Sequence, residues 1–293
     1  MDLTRARSPQ ETAEYLAEQM LGKATNRWGR MFVLAVAAGV MIGLGFAFYI
    51  TTQQGAAGAP WIGEAKFLGG VAFSVGLILV VLTGMDLFTS TTMTLVPLTR
   101  KQISPGRFAG HWAVVYGGNF LGGLALAACL VGAGTYMQGG GAWGVAAIQT
   151  AMAKVSHTWP QAFLLGMFCN VMVCLAVVLA YAGRTVTDKI LGIVGPIALF
   201  VATGFEHSVA NMFLIPAARL ITEVAGPQFW ESVPALAADL TKADAQSTLT
   251  APAFFFDNLL PVTLGNIVGG GIFVGLFMWF VHVKMADDAV ARQ

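Results

Sequence analysis

The stretch Thr83-Gly84-Met85-Asp86 closes one apolar run of the chain, and Thr203-Gly204-Phe205-Glu206 closes another, 120 positions later. A second matching pair lies 147 positions apart: Gly118-Asn119-Phe120-Leu121-Gly122-Gly123 and Gly265-Asn266-Ile267-Val268-Gly269-Gly270. Two matches in the same order indicate that the two halves of the chain are copies of one unit. The first and fourth apolar runs show no comparable identity.

The composition of the chain is that of a membrane protein. Apolar residues make up 56% of the 293 residues and charged residues 11%, whereas about a quarter of an ordinary soluble domain is charged. Six apolar runs have no Lys, Arg, Asp or Glu in their interiors: roughly 31–52, 67–85, 111–137, 162–182, 190–205 and 258–282. We therefore expect an all-α membrane protein with six transmembrane helices. The net charge of +1 gives no electrostatic reason to expect nucleic acid as a partner.

The matched pairs predict two inverted three-helix repeats with broken second and fifth helices. Three spans separate the members of each pair, so the two copies should cross the bilayer in opposite directions. The fifth run has only 16 residues (190–205), about 24 Å of helix, which is short of a hydrocarbon core of about 30 Å. The chain must continue past Glu206, as the second run must continue past Asp86. Broken backbone at that depth requires a protein or water-filled surround, so the breaks mark a permeation pathway.

Several polar residues at the breaks are candidates for function. His207 is the only histidine expected near the membrane centre; it could hold or pass a proton and donate to an anion, or it could pack as a neutral core residue. For Asp86 and Glu206 we expect a structural role, in which they accept hydrogen bonds from the broken backbone or lie near an interfacial helix end. Ser90 and Ser208 are expected to cap the second helix fragments, whose positive dipole ends favour a small anion.

The hydroxyl groups of Thr89 and Thr91 could serve a permeating carboxylate or the broken backbone itself, and the residues leave both open. A membrane enzyme is disfavoured because the chain lacks H-E-x-x-H, G-x-S-x-G and P-loop motifs. We expect no cofactor and no metal, because the three cysteines fall inside spans without metal-type spacing.

The distribution of Lys and Arg predicts the orientation. Twelve lie in the two termini and in the 2–3 and 4–5 loops, and four lie on the other side, so both termini should be cytoplasmic. The expected organisation is a cytoplasmic N-terminal helix (1–30), a channel domain (31–285) and a cytoplasmic tail (286–293). The pattern Ser8-Pro9-Gln10-Glu11 is a capping box that opens a helix with Ala13, Leu16 and Met20 on one face.

Five stretches resemble the formate/nitrite transporter family. They are GLILVVLTGMDLFTSTTM (76–93), KVSHTW (154–159), NVMVCLAV (170–177), ATGFEHSVANMFLIP (202–216) and DNLLPVTLGNIVGGG (257–271). The resemblance implies an aquaporin-like fold, a homopentamer in the bacterial inner membrane with one pore per protomer, and passage of formate. Nitrite, hydrosulfide or another short monocarboxylate stay open as the substrate. The N-terminal helix could be a surface helix, a plug, or a docking site for a formate-producing enzyme.

The same resemblance implies roles for individual residues. His207 would be the central pore histidine, whose function is to stabilise the anion or to protonate it, and Thr89 would face it. Lys154 and Asn170 would draw the anion in. Hydrophobic constrictions are implied at two sets of residues: Phe73 and Phe200 for one, and Leu77, Phe88 and Val173 for the other.

Overall fold

The computed structural model describes residues 5–286, and within them the chain forms helices and no strand. The helices, in chain order, are α1 (Pro9–Thr25), α2 (Trp28–Gln53), α3 (Ile62–Leu82), α4 (Phe88–Thr91), α5 (Leu95–Thr99), α6 (Pro105–Gly132), α7 (Ala142–Val155), α8 (Trp159–Ala182), α9 (Val186–Ala202), α10 (Ser208–Val224), α11 (Pro227–Leu236), α12 (Lys242–Thr248) and α13 (Ala253–Lys284). The predicted tail lies, apart from residue 286, outside the described residues.

Five of these helices, α2, α3, α6, α8 and α13, are long and apolar enough to cross a membrane, with 21 to 32 residues each. They coincide with five of the six predicted spans, which confirms an all-helical, multi-pass membrane fold. The predicted fifth span corresponds to two helices of 17 residues, α9 and α10, separated by residues 203–207. By length and composition alone, α10 and α11 qualify as a sixth span only when the two helices are taken together. The angle of the bend between them is 117°.

Helices of the two halves pack in matching pairs. α2 packs on α3 and α6, while α8 packs on α9 and α13. Gly122 packs directly against the Val36 carbonyl, and Gly269 packs directly against the Met167 carbonyl. A Cβ atom at either position would collide with that backbone oxygen. Such close approach at small residues is typical of membrane helices, which gain little from the hydrophobic effect when they associate.

The N-terminal helix α1 lies against the bundle rather than apart from it. Both bonds of the predicted capping box are present: the Ser8 hydroxyl accepts from the Glu11 N–H at 3.2 Å, and the Glu11 carboxylate accepts from the Ser8 N–H at 2.7 Å. The predicted apolar face is buried, with Leu16 1% exposed and Met20 fully covered. It packs against α8, α13 and the segment that follows the first break, where Met93 joins the same apolar cluster.

Candidate permeation pathway

The two helix breaks have the same backbone geometry. Gly84 and Gly204 adopt left-handed conformations, with φ of 72° and 75°, which glycine reaches without the strain a Cβ would cause. After each glycine the chain closes back onto its helix, because the Met85 N–H donates to the Val80 carbonyl and the Phe205 N–H to the Phe200 carbonyl, each at 3.0 Å. The Thr-Gly-x-acid stretches therefore end their helices in the same way, and both predicted breaks are present.

An asparagine from another helix holds each break. The Asn119 Oδ1 accepts from the Phe88 N–H at 2.7 Å, and its Nδ2 donates to the carbonyls of Ala35 (2.7 Å) and Asp86 (2.9 Å). The Asn266 side chain makes the corresponding bonds.

Its Oδ1 accepts from the Ser208 N–H at 3.0 Å, and its Nδ2 donates to Gly166 O (2.7 Å) and Glu206 O (3.0 Å). Both asparagines are fully buried. Each one satisfies three backbone groups that lipid could not.

The expected serine caps were wrong. Helix α4 already begins at Phe88 and α10 at Ser208, so both serines lie inside the first turn, whereas a cap residue must precede it. The Ser90 hydroxyl donates to the Leu87 carbonyl at 2.9 Å, and within the described residues the Ser208 hydroxyl has no partner. The residue that caps α10 is His207, whose Nδ1 accepts from the Ala210 N–H at 3.1 Å.

A hydrogen bond between Thr89 and His207 joins the two breaks. The Thr89 Oγ1 lies 3.0 Å from the His207 Nε2, and both side chains are buried, with His207 2% exposed. Because the Nδ1 is an acceptor in this geometry, the proton of the neutral imidazole is on Nε2 and is donated to Thr89. The Thr91 hydroxyl instead donates to the Phe88 carbonyl at 3.1 Å. Of the two threonines, Thr89 therefore faces the histidine and Thr91 serves the backbone.

A cavity approaches this pair from each side. The α7-side cavity, of about 470 Å³, has the buried His207 in its lining. Its other polar lining residues include Tyr49, Lys66, Lys154, His157 and Glu206. The α1-side cavity, of about 460 Å³, is lined by polar residues that include Glu18, Lys23, Asn26, Arg30, Asp86, Ser90 and Lys189. Ser90, the chain neighbour of Thr89, lines the α1-side cavity, and His207 lines the α7-side cavity. The Thr89–His207 bond therefore connects the linings of the two cavities.

The first predicted pair of constriction residues lies at the inner end of the α7-side cavity. The rings of Phe73 and Phe200 pack edge to face at 5.6 Å between centroids, and they lie 6.4 and 6.1 Å from the imidazole of His207. The second set, Leu77, Phe88 and Val173, is buried at 1 to 3% exposure. The Phe88 ring packs on Tyr116 at 4.8 Å and on Trp112 at 5.7 Å. A role for that set as a constriction stays a prediction.

The two acidic residues pair with lysines, not with the broken backbone as expected. The Lys23 Nζ lies 2.7 Å from the Asp86 Oδ1, and the Lys154 Nζ lies 2.8 Å from the Glu206 Oε1. Both carboxylates are 1% exposed, and a buried carboxylate needs a cationic or hydrogen-bonding partner. The Glu206 Oε2 also accepts from the Asn211 Nδ2 at 2.7 Å. Asn119 and Asn266 thus bond the broken backbone, whereas the two lysines neutralise the carboxylates.

Sequence reasoning missed Lys23, although a signal for it exists. Lys23-Ala-Thr-Asn-Arg-Trp28 matches Lys154-Val-Ser-His-Thr-Trp159 at an offset of 131 positions. The same offset joins Leu34 to Leu165, whose carbonyls accept from the Asp86 N–H (3.4 Å) and the Glu206 N–H (3.2 Å). The internal match therefore does extend to the first and fourth spans, and it makes α1 the counterpart of α7.

Asn170 lies in the packed core rather than at either cavity. It is fully buried, and its Nδ2 donates to the Thr89 carbonyl at 2.9 Å and to the Asn266 carbonyl at 2.6 Å. Through these bonds it holds the backbone of the residue that contacts His207. Across residues 5–286, no group of three His, Cys, Asp or Glu side chains is arranged to hold a metal ion.

Known proteins of similar sequence and structure are transporters. The family model described as formate/nitrite transporter matches residues 10–280. The chain is 45% identical over 276 residues to the formate channel FocA of Haemophilus influenzae, covering 94% of this chain and 95% of that protein. It is 44% identical over 279 residues to the formate channel FocA of Escherichia coli, covering 95% of each.

A solved structure described as a pentameric formate channel with formate bound matches with a TM-score of 0.78 at 40% identity, covering 88% of this chain and 98% of that one. A second, described as an FNT family ion channel, matches with a TM-score of 0.72 at 28% identity, covering 92% and 98%. By its sequence over nearly its whole length and by its fold, the chain belongs to the formate/nitrite transporter family.

Proposed function

We propose that this protein is a channel that passes formate across a bacterial inner membrane, along a path from the α1-side cavity past Thr89 and His207 to the α7-side cavity. The observation that carries the proposal is the 3.0 Å hydrogen bond between Thr89 and His207, which joins two helix breaks with a cavity on either side. Formate as the substrate is supported by relatives at 44 and 45% identity that are named formate channels.

The main barrier is the apolar contact of Phe73 with Phe200. Formic acid resembles the side chain of Asp in acidity, with a pKa of about 3.9, so formate is an anion at neutral pH and crosses an apolar ring at high cost. Cationic side chains line both cavities: Lys66 and Lys154 on one side, and Lys23, Arg30 and Lys189 on the other. Together they offset part of that cost as the anion enters from either side.

At the centre, the contacts of His207 favour hydrogen bonding over proton donation. A neutral imidazole that gave up its Nε2 proton would be left as an anion unless Nδ1 gained a proton. Nδ1 accepts from the Ala210 N–H at 3.1 Å, so protonation there would break the cap of α10. The arrangement therefore supports a donor that stabilises the anion, with the Thr89 hydroxyl as a second donor, because Thr89 accepts from Nε2 and keeps its own proton to donate.

The same proposal includes the orientation and the assembly. The excess of Lys and Arg supports cytoplasmic termini, so that the α1-side cavity opens to the cytoplasm. A homopentamer with one pathway in each protomer is supported by the related channel that is described as pentameric. Docking of a formate-producing enzyme on α1 stays a prediction.

Uptake of labelled formate, nitrite, hydrosulfide and lactate into proteoliposomes tests the function. We expect formate uptake well above that of protein-free vesicles, and a strong reduction in His207→Asn. The matched control is His282→Asn, which alters a histidine at the far end of α13 and should leave uptake unchanged. Formate uptake equal to that of empty vesicles would refute the channel, and faster uptake of nitrite or hydrosulfide would assign one of those anions instead.

A further inference from the structure

His157 shares its closest carboxylate oxygen with Lys154. The residue lies in the connection between α7 and α8, lines the α7-side cavity and has a side chain that is 32% exposed. Its Nε2 lies 3.6 Å from the Glu206 Oε1, the atom that accepts from the Lys154 Nζ at 2.8 Å. The imidazole and the ammonium group therefore compete for one oxygen at the mouth of the pathway.

We propose that His157 is an anion-recruiting residue of the α7-side cavity, which frees Lys154 from Glu206 when it takes up a proton. The inference rests on the proposed channel function. With a neutral imidazole, the ammonium and the carboxylate cancel, and the three side chains carry no net charge. A proton taken from water in the cavity gives them a net charge of +1 and gives Glu206 a second cationic partner. Lys154 then becomes available to the entering anion.

The other charged groups around the cavity influence how strongly the added positive charge attracts an anion, but they do not neutralise that charge. Lys66 from α3 is a further cation in the lining, and Tyr49 from α2 is neutral near pH 7. Glu206 is the one carboxylate among the residues that line the cavity, and its second oxygen is bonded to Asn211. Histidine changes charge between about pH 5 and pH 8, whereas formate stays an anion over that window.

The proposed pH response is confined to the α7-side cavity. At the repeat offset of 131, the counterpart of His157 is Asn26, which lines the α1-side cavity and carries no titratable group. The Lys23–Asp86 pair therefore lacks the competing imidazole that the Lys154–Glu206 pair has. Under the proposed orientation, anion entry responds to the pH outside the cell.

Equilibrium exchange of labelled formate in proteoliposomes tests this inference, with equal pH and equal formate on both sides so that no gradient drives flux. One extra positive charge about 6 Å from the anion should lower the half-saturating formate concentration about threefold to tenfold between about pH 8 and pH 5. His157→Asn, which installs the residue of the other half, should remove this fall. His157→Lys should hold the concentration low at every pH.

Two controls separate the possible causes. Lys66→Gln removes a charge from the same cavity without a competing carboxylate, so it should raise the half-saturating concentration at every pH and keep the native pH profile. His157→Gln repeats the main test with a longer amide. Native pH profiles in both His157→Asn and His157→Gln would overturn the inference, whereas exchange no faster than in protein-free vesicles would overturn the channel function itself.

Discussion

Replacing Asn266 with alanine removes three buried hydrogen bonds at one helix break: one from the Ser208 N–H and two to the carbonyls of Gly166 and Glu206. A net hydrogen bond contributes about 1 kcal/mol in proteins and about 0.6 kcal/mol on average between membrane helices. The three together therefore give an expected loss of about 2 to 3 kcal/mol in the free energy of unfolding. SDS titration of the purified protein in mixed micelles measures that loss.

Asn119→Ala is the matched experiment, because the same three types of bond are made at the other break. We expect the two losses to agree within about 0.5 kcal/mol. Gln10→Ala, which removes one exposed bond to Glu14, should cost less than about 0.5 kcal/mol. A loss below about 1 kcal/mol for both asparagines would refute the reasoning that these bonds hold the breaks.

Asn266→Asp separates the donor bonds from the acceptor bond. The aspartate keeps an oxygen for the Ser208 N–H but loses both donated bonds and places a charge against two carbonyl oxygens. It should therefore destabilise the protein more than alanine does. Equal or smaller destabilisation by aspartate would show that the donated bonds contribute little.

Three further predictions follow from other parts of the structure. Gly204→Ala should lower the free energy of unfolding, measured by SDS titration, by about 1 kcal/mol, because φ is 75° at that position. Gly195→Ala has open space around the added Cβ and should leave the free energy of unfolding unchanged or raise it. Equal effects of the two substitutions would contradict this account. Phe200→Ala should raise the uptake of labelled lactate relative to the native protein, because it opens the apolar contact with Phe73; unchanged uptake would place the barrier elsewhere. The Arg5 guanidinium and the Ser8 N–H lower the pKa of Glu11 from 4.5 to about 2, so this acid stabilises docked α1 above about pH 4.5, and the contribution is lost as the pH falls through about 2. The protection factors of the α1 amides against hydrogen exchange should fall across that window in the native protein and much less in Glu11→Gln.

The breaks were predictable from sequence because a local pattern encodes them. Both breaks carry a Thr-Gly-x-acid stretch at the end of an apolar run, and in each the glycine adopts the left-handed conformation that ends a helix. The function of each polar group was less accessible. The Asp86 carboxylate bonds a lysine 63 positions away, and that lysine lies in a segment assigned to a separate helix rather than to the channel.

Which side chain caps the helix after a break depends on the residue at which that helix begins. A shift of one residue moves the cap of α10 from Ser208 to His207, and it thereby changes the histidine from a general polar group into one with a fixed donor nitrogen. Composition and periodicity locate helices to within a turn, whereas hydrogen bonds depend on single positions. This difference explains why the residues alone could not separate Thr89 from Thr91, two positions apart, and why only the family resemblance pointed to Thr89.

The bonds of the two asparagines bear on how the chain is assembled during synthesis. Asn119 on α6 reaches only groups on α2 and at the first break, and Asn266 on α13 reaches only α8 and the second break. The first half can therefore satisfy the three backbone groups that Asn119 bonds as soon as α6 has entered the bilayer, before the ribosome has made the rest. The bonds that join the halves, Thr89 to His207 and Asn170 to the Thr89 carbonyl, then have to wait until the second half is in the bilayer.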